Sequence, residues 1–415
     1  MRYGLVGRKL PHSFSPEIHR AFGCPEDYGL FELEPDELEG FMKRREFLGI
    51  NVTVPYKRDV MQFVDVISPE AGEIGSVNTV VNRNGSLFAY NTDYYGFTFL
   101  LDRSGITLSG KKVLVLGSGG ASLTVRAAAK SLGASEIVTI SRSGSDNYEN
   151  LSRHYDADVI VNTTPVGTFP ACPAAPLSLS PFKKLCGVVD LIYNPARTAL
   201  LMQAEKLGIP HTGGLIMLSA QAKRAEELFF DKNIPDSDAV RVADEIYMDS
   251  QNLILIGMPG TGKTTAGKNL SKLTGRPLYD TDALIEEKAG VTIPSLLAEK
   301  GEAELRRLET EVISEVGKLS GAIIVCGGGA VTQERNYPYL HQNGRIIQVF
   351  RDVSSLSVKN RPLSKDTETV KRMYEIRKPM YEAFRDALVE AAASKADKAL
   401  TAERIWRDFC ENTRY

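Results

Sequence analysis

The sequence predicts an α/β protein built from more than one parallel-sheet unit. Three observations carry that expectation. The chain has 415 residues, too many for one ordinary hydrophobic core. It contains two apolar strands that each run into a glycine-rich turn and then a helix. Lys111–Leu116 leads into Gly117-Ser118-Gly119-Gly120-Ala121, and Asn252–Ile256 leads into Gly257-Met258-Pro259-Gly260-Thr261-Gly262-Lys263-Thr264. Further apolar strands follow each turn: Ser135–Ile140, Ala157–Val161 and Cys186–Asp190 after the first, Gly321–Val325 and Gly344–Val349 after the second. Continuous apolar strands alternating with helices belong to parallel sheets covered on both faces.

Helices are expected over Leu123–Leu132 and Thr265–Leu273, and a loop over the Pro-, Ala- and Ser-rich run Pro165–Pro181. Strand candidates at Arg2–Val6 and Gly49–Val54 place another α/β segment upstream of Ser104. A boundary is expected near Met248–Gln251, a short polar stretch before the second glycine-turn strand.

Composition removes several function classes. Fifty basic against 52 acidic residues leave a net charge of -2, which gives no reason to expect a nucleic acid or an anionic membrane as partner. Cys24, Cys172, Cys186, Cys326 and Cys410 form no CxxC, and the five histidines are dispersed. A zinc site and a Ser-His-Asp hydrolase are therefore not expected. No apolar run approaches the roughly 20 residues that span a bilayer, and Met1–Gly7 enters a strand without a charged leader. The expectation is a cytoplasmic protein with reduced thiols.

Gly117-Ser118-Gly119-Gly120-Ala121 sits between strand and helix, where backbone amides hold a pyrophosphate and missing side chains allow close approach. The next strand ends in Ser141-Arg142-Ser143, about 20 residues on, where an NAD-selective Rossmann domain places an acidic residue. An arginine between two hydroxyls suits a 2′-phosphate, so NADP(H) is the expected cofactor.

Upstream lie His12-Ser13-Phe14-Ser15-Pro16, Asn51-Val52-Thr53-Val54-Pro55-Tyr56-Lys57, Gly75-Ser76-Val77-Asn78-Thr79 and Tyr90-Asn91-Thr92-Asp93. Their hydroxyl and amide side chains suit a polyhydroxylated ligand, and Lys57 with Asp93 offers an acid/base and its orienting partner. Together these motifs resemble shikimate dehydrogenase over about residues 1–247. The resemblance implies that Ser13, Ser15, Asn51, Thr53, Asn78 and Asp93 contact shikimate or 3-dehydroshikimate, with Lys57 as general acid/base. Asp190-Leu191-Ile192-Tyr193-Asn194-Pro195 implies a substrate-contacting Tyr193 and cofactor contact at Leu191. Gly213–Gln221 implies Gly214 near the nicotinamide and Gln221 on the substrate. The chain departs from the family in having Ser141-Arg142-Ser143 for Asn-Arg-Thr, no second basic residue in Gly144–Asn147, and a short stretch between His19 and Asn51.

Gly257–Thr264 fits GxxxxGK[ST]. Amides around Gly260, Thr261, Gly262 and Thr265 cradle phosphates, Lys263 reaches the β/γ oxygens, and the Thr264 hydroxyl suits Mg²⁺. In Tyr279-Asp280-Thr281-Asp282 the two carboxylates are expected on a strand end, pointing the same way, one for Mg²⁺ and one for a substrate hydroxyl. Gly301–Arg307 offers cations for a carboxylate, and Cys326-Gly327-Gly328-Gly329-Ala330 brings bare backbone near the phosphates.

With Asn360-Arg361-Pro362-Leu363 and Arg377–Tyr381, this set resembles shikimate kinase over about residues 251–410. It implies that Asp282, Arg306, Gly328 and Arg377 bind shikimate, with Asp282 at the 3-hydroxyl. Asp280 would hold Mg²⁺ through water, and Arg361 would stabilise the transferring phosphoryl group from a lid. The segment Val353–Lys359 is shorter than the family's and lacks its adenine-stacking arginine, and Leu305 replaces an aromatic residue.

The expected organisation is a substrate domain (1–103, completed by 215–247), a Rossmann NADP domain (104–214) and a P-loop kinase domain (251–415). The expected chemistry is reduction of 3-dehydroshikimate by NADPH, then phosphorylation of shikimate by MgATP. Two alternatives stay open: an NAD-dependent quinate/shikimate dehydrogenase fused to a small-molecule kinase, and a ligand-sensing module with a degraded kinase. Monomer and homodimer are equally compatible with the sequence.

Overall fold

Three sheets organise the chain. The computed structural model describes residues 2–10, 13–24, 27–352, 367–392 and 398–415. By contacts these form two compact units, Met1–Tyr193 with Thr198–Ile246, and Asn194–Arg197 with Tyr247–Tyr415.

The first sheet is mixed. Its strands are β1 (Tyr3–Gly7), β2 (Tyr28–Glu32), β3 (Gly49–Val52), β4 (Val66–Ile67), β5 (Thr79–Arg83) and β6 (Ser86–Tyr90), in the order β2-β1-β3-β5-β6-β4. β1 pairs in parallel with β2 and β3, whereas β5 is antiparallel to β3 and β6. The β5–β6 hairpin turns on Asn84 (φ 53) and Gly85 (φ 91), the left-handed pair that a tight two-residue hairpin demands.

Asn91 caps the helix Thr92–Ser104 by accepting from the Tyr94 amide at 3.1 Å. That helix packs on the helix Leu215–Phe230. The contact is so close that a Cβ at Gly96 would lie 2.6 Å from the Met217 carbonyl oxygen. The packing brings the first turn of one helix, carrying Asp93, beside Gln221 on the other.

The second sheet is wholly parallel: β7 (Lys112–Leu116), β8 (Glu136–Ile140), β9 (Val159–Asn162), β10 (Gly187–Asp190) and β11 (His211–Thr212), ordered β11-β10-β9-β7-β8. The strand order reverses at β7, and ligands of such sheets bind beyond the strand ends at that point. There Gly117 has φ +109, and a Cβ would meet Thr163 Oγ1 at 2.7 Å. The helix Gly120–Ser131 follows at once, burying Val125, Ala128 and Ala129 on the sheet.

The third sheet is also parallel: β12 (Asn252–Ile256), β13 (Leu278–Asp280), β14 (Ile323–Val325), β15 (Gly344–Phe350) and β16 (Ala387–Glu390), ordered β13-β14-β12-β15-β16. Leu253, Ile254, Leu255 and Ile256 of the central strand are each 0% exposed. Burial of each such side chain contributes about 1.5–3 kcal/mol. The helix Lys263–Thr274 leaves β12 through Gly262, and the long helix Ile293–Val316 is broken at Gly301 (φ 79).

Strand ends differ from the sequence expectation by one or two residues, as at β14, where Gly321 (φ +69) holds a turn and pairing begins only at Ile323. Pro165–Pro181 contains neither helix nor strand. Among the described residues no helix is long and apolar enough to cross a membrane.

Candidate active sites

After β3 the chain turns tightly through Thr53–Tyr56, with the Tyr56 amide donating to the Thr53 carbonyl at 3.0 Å. The turn delivers Lys57, whose Nζ lies 2.6 Å from Asp93 Oδ2. Asp93 is 3% exposed, so its carboxylate is removed from water and the Lys57 ammonium is its charged partner. A Cβ at Gly120 would lie 3.4 Å from Lys57 Cδ and 3.3 Å from Ser76 Oγ. The glycine turn of the second sheet therefore abuts the lysine.

Around this pair runs a network of amides and hydroxyls. Asn78 Nδ2 donates to Thr92 Oγ1 (3.0 Å) and Gln221 Oε1 (3.4 Å), and its Oδ1 accepts from the Thr92 amide (2.7 Å). Asn51 Nδ2 donates to Thr79 Oγ1 (3.0 Å) and the Asn78 carbonyl (3.4 Å). Ser13 and Ser15 hydroxyls lie 3.1 Å apart, and between them the Phe14 ring packs 5.4 Å from that of Tyr193. The Thr53 methyl stands over Gly7, where a Cβ would come within 2.7 Å.

Gly214 has no room for a side chain, since a Cβ would lie 2.1 Å from the Leu191 carbonyl oxygen. Asp190 anchors the start of that loop. It is 0% exposed and accepts from Asn162 Nδ2 (2.9 Å), the Ile192 amide (3.1 Å) and Thr198 Oγ1 (2.7 Å). Burial nevertheless pushes its pKa up to about 6. Ser141, Arg142 and Ser143 leave β8 in an exposed turn closed by the Ser141 amide on the Asp146 carbonyl (3.2 Å).

In the second unit the phosphate loop needs glycine at three left-handed positions, Gly257 (φ 144), Gly260 (φ 89) and Gly262 (φ 98). Lys263 is 7% exposed, and its Nζ donates to the carbonyls of Gly257 (2.8 Å) and Met258 (3.0 Å). Thr261 Oγ1 closes the loop on the Met258 carbonyl (3.0 Å). Thr264 Oγ1 donates to Asp280 Oδ2 at 3.1 Å. Thr265 continues the first turn of the same helix.

Asp280 and Asp282 do not share a strand end, contrary to the expectation. Asp280 closes β13, while Asp282 lies in the first turn of the helix Thr281–Ala289, and Asp280 Oδ1 accepts from the Asp282 amide at 3.1 Å. The capping chemistry of the first carboxylate converts the extended chain into a helix between them. Asp282 is open to solvent yet crowded by protein. Burial and the nearby Asp280 charge raise its pKa, with Lys263 and Arg306 pulling the other way.

The turn Gly327–Gly329 is the hub of this site. The Gly327 amide donates to Thr281 Oγ1 (3.0 Å), and a Cβ there would lie 2.4 Å from Asp282 Oδ1. A Cβ at Gly328 would strike Pro259 at 2.6 Å, and one at Gly329 would strike Arg306 Nη1 at 2.0 Å. The Gly328 carbonyl accepts from Arg377 Nη1 (2.9 Å) and the Tyr381 hydroxyl (2.7 Å). Arg306 is 8% exposed and pairs with Glu309 (2.7 Å) and Glu302 (3.0 Å). Burial works against its charge, but the two carboxylates more than offset that and raise its pKa. Arg361 lies outside the described residues, as does Lys359.

Comparison with known proteins assigns both halves. A family model for the shikimate dehydrogenase substrate binding domain matches residues 5–80, and one for shikimate kinase matches residues 259–408. The shikimate dehydrogenase (NADP(+)) of Clostridium beijerinckii is 36% identical over 246 residues, covering 55% of this chain and 91% of the relative. The chain belongs to the shikimate dehydrogenase family.

It also carries a shikimate kinase domain, and so is a bifunctional enzyme of the shikimate pathway. Among solved structures, shikimate dehydrogenase 1 of Peptoclostridium difficile is similar with TM-score 0.55 and 36% identity, over 58% of this chain and 96% of that one. The shikimate 5-dehydrogenase of Thermus thermophilus in complex with NADP(H) and shikimate is similar with TM-score 0.53 and 32% identity, over 59% and 98%.

Of the residues singled out from sequence in the dehydrogenase unit, hydrogen bonds join Lys57 to Asp93 and Asn78 to Asn51 and Gln221. Ser13 and Ser15 flank Phe14, which packs on Tyr193. Leu191 lies against Gly214, and Ser141–Ser143 leave the end of β8. In the kinase domain, Glu309 carries no mark in the sequence that separates it from an ordinary helix position, and Tyr381, inside the run Arg377–Tyr381, gains no role of its own from the sequence. Glu309 is 2% exposed and holds Arg306, and burial raises its pKa while Arg306 opposes that rise. Tyr381 is 1% exposed, and burial holds its phenol well above the usual range. The spacing of Arg306 and Glu309, three apart on one helix face, is the one local signal available for that pair.

Proposed function

We propose that the two units act in turn on one small hydroxylated carboxylate. The dehydrogenase unit reduces 3-dehydroshikimate to shikimate, and the kinase domain transfers the γ-phosphoryl group of ATP to the 3-hydroxyl of shikimate. The observation that carries this reading is the Lys57–Asp93 pair, 2.6 Å apart against Gly120. It sets a proton donor beside a glycine turn suited to a dinucleotide.

The glycine cradle, with positive φ at Gly117 and backbone bare at Gly119 and Gly120, fits a pyrophosphate. Bound there, NADPH supplies the hydride. Gly117–Ala121 hold its phosphates through backbone amides, and Arg142 with Ser141 and Ser143 takes the 2′-phosphate. Leu191 and Gly214 line the nicotinamide side.

Lys57 gives its proton to the carbonyl oxygen as the carbon becomes tetrahedral, and takes it back in the reverse direction. Asp93 holds the ammonium in place. Ser13, Ser15, Asn51, Thr53, Asn78, Tyr193 and Gln221 bind the hydroxyl and carboxylate groups of the substrate.

In the kinase domain, amides of Gly260–Thr265 and the Lys263 ammonium hold the phosphates. Thr264 Oγ1 and Asp280, 3.1 Å apart, are hard oxygen groups suited to Mg²⁺, Thr264 as a ligand and Asp280 through a bridging water. Among the described residues no cluster of three or more His, Cys, Asp or Glu could hold a metal. Mg²⁺ keeps several waters and binds substrate phosphates, so Thr264 and Asp280 would need to supply only part of its coordination. Arg306 and Arg377 bind the shikimate carboxylate beside Gly328, and Asp282 accepts the 3-hydroxyl proton. Its raised pKa suits a base.

The test is a coupled assay from 3-dehydroshikimate, NADPH and MgATP, with shikimate and its phosphate both quantified. NADPH should be consumed and ADP formed, and product should stop at shikimate when ATP is withheld. No ADP from shikimate supplied directly would remove the kinase reading, and no NADPH consumption would remove the other. Turnover with NADP⁺ against NAD⁺, on shikimate and on quinate, separates this reading from an NAD-dependent quinate/shikimate enzyme.

A further inference from the structure

The groups assigned above to the substrate of the dehydrogenase unit stand on separate elements. Ser15 opens the helix Ser15–Ala21, Asn51 is on β3, and Gln221 is on the helix Leu215–Phe230. One buried cluster touches all three elements. His19 lies one turn beyond Ser15 on the same helix face and is 2% exposed. Its Nδ1 lies 2.6 Å from Oε1 of Glu226, which is 0% exposed and shares its helix with Gln221. The His19 ring stacks on Tyr28, with centroids 3.9 Å apart and planes 10° apart. The Tyr28 hydroxyl donates to Asn51 Oδ1 at 2.7 Å.

This arrangement costs free energy that packing alone does not require. The surroundings are apolar: Tyr3 packs on Phe229 and Phe230, and Phe229 stacks on His19 at 6.1 Å. The only ammonium near Glu226 among the described residues is Lys232, 3.4 Å from Oε2. Buried polar pairs are often replaceable by well-packed apolar residues of similar volume without loss of stability, so this one points to orientation rather than strength.

What it orients is an amide. An Asn side chain has two nearly equivalent flips. Here both Nδ2 hydrogens of Asn51 are taken, by Thr79 Oγ1 and the Asn78 carbonyl, and the Tyr28 hydroxyl fixes Oδ1 opposite them. Burial raises the Tyr28 pKa well above its usual value, helped by Glu226 and Cys24, so the phenol stays a donor.

We propose that Tyr28 is a positioning residue for substrate binding, locking the Asn51 amide in one orientation, and that the buried His19–Glu226 pair holds Tyr28 in place. The inference rests on the assignment of Asn51 to the substrate.

The test uses the full-length chain and measures kcat and KM for shikimate oxidation, and KM for NADP⁺. Tyr28→Phe keeps the ring on His19 and deletes only the hydroxyl. It should raise the shikimate KM about tenfold, the size of one hydrogen bond, and leave the NADP⁺ KM and kinase turnover unchanged. Glu226→Gln keeps an acceptor oxygen for His19 and should move the shikimate KM in the same direction. In an Asn51→Ala background, Tyr28→Phe should change the shikimate KM by less than about twofold, because the residue it acts through is gone.

Multiplying effects of Tyr28→Phe and Asn51→Ala would overturn the proposal. So would an NADP⁺ KM that rises with the shikimate KM, or a normal shikimate KM in Tyr28→Phe when Asn51→Ala raises it. If Asn51→Ala itself leaves the shikimate KM unchanged, the assignment of Asn51 falls, and this inference with it.

Discussion

Lys57 Nζ and Asp93 Oδ2 stand 2.6 Å apart, with the carboxylate buried and the ammonium half-buried. Simple removal of the lysine would leave a buried charge unpaired and confuse catalysis with folding. Lys57→Arg avoids that, because arginine keeps the cation for Asp93 but does not release a proton at working pH. Dehydrogenase kcat should fall about 10²–10⁴-fold, with melting temperature and kinase turnover unchanged. Turnover within tenfold of the parent would take the proton-transfer role away from Lys57.

Asp280 does two things at once. It caps the helix Thr281–Ala289, accepting from the Asp282 amide, and it accepts from the Thr264 hydroxyl. Asparagine caps helices about as well as aspartate but is a poorer partner for Mg²⁺. Asp280→Asn should therefore leave the melting temperature close to the parent's while the Mg²⁺ concentration for half-maximal kinase rate rises at least about tenfold, one lost charged contact. A Mg²⁺ titration that overlays the parent's would leave Asp280 as a cap alone.

Gly329 lies under the Arg306 guanidinium, where a Cβ would approach Nη1 to 2.0 Å and Cζ to 2.3 Å. Arg306 has little freedom to retreat, since Glu309 and Glu302 hold it and it is buried. Gly329→Ala should push the guanidinium off its site. The expected result is a shikimate KM for the kinase raised about 10–100-fold, the size of one charged hydrogen bond, at unchanged ATP KM. Equal rises in both constants would mean that the whole turn had moved.

The parts legible in the sequence are those with a local physical signature. Leu253–Ile256 and Val113–Leu116 read as strands because a parallel sheet buries both faces and leaves a continuous apolar run. Gly117, Gly257, Gly260 and Gly262 read as turn positions because only glycine takes their backbone angles comfortably. Asn84-Gly85 carries an equally local hairpin signal between β5 and β6. Asp280 and Asp282 misread as a strand pair because a capping aspartate looks the same in sequence whether the chain beyond it stays extended or coils. His19 and Glu226 lie 207 positions apart, and Tyr28 reaches Asn51 across the sheet. Topology alone brings those residues together, and no spacing rule announces them.

Asp190 sets a pH dependence on the dehydrogenase unit. Its carboxyl is pushed up to about 6 from 3.8 by burial, which Thr198, Ile192 and Asn162 only partly offset. The native state therefore holds this proton more tightly than the unfolded chain does. Its favourable effect is full below pH 3.8, declines as pH rises toward 6, and is absent above that. Asp190→Asn fits the same partners: Oδ1 still accepts from Asn162 and Ile192, and Nδ2 donates to the Thr198 hydroxyl. The variant has no charge to bury. Its stability relative to the parent should improve by about 2 kcal/mol between pH 4.5 and pH 7.5. Calorimetry can follow this in the unfolding transition that shifts with added NADP⁺, which marks the dehydrogenase unit. A difference between variant and parent that stays constant across that range would show that Asp190 ionises as easily when folded as when unfolded.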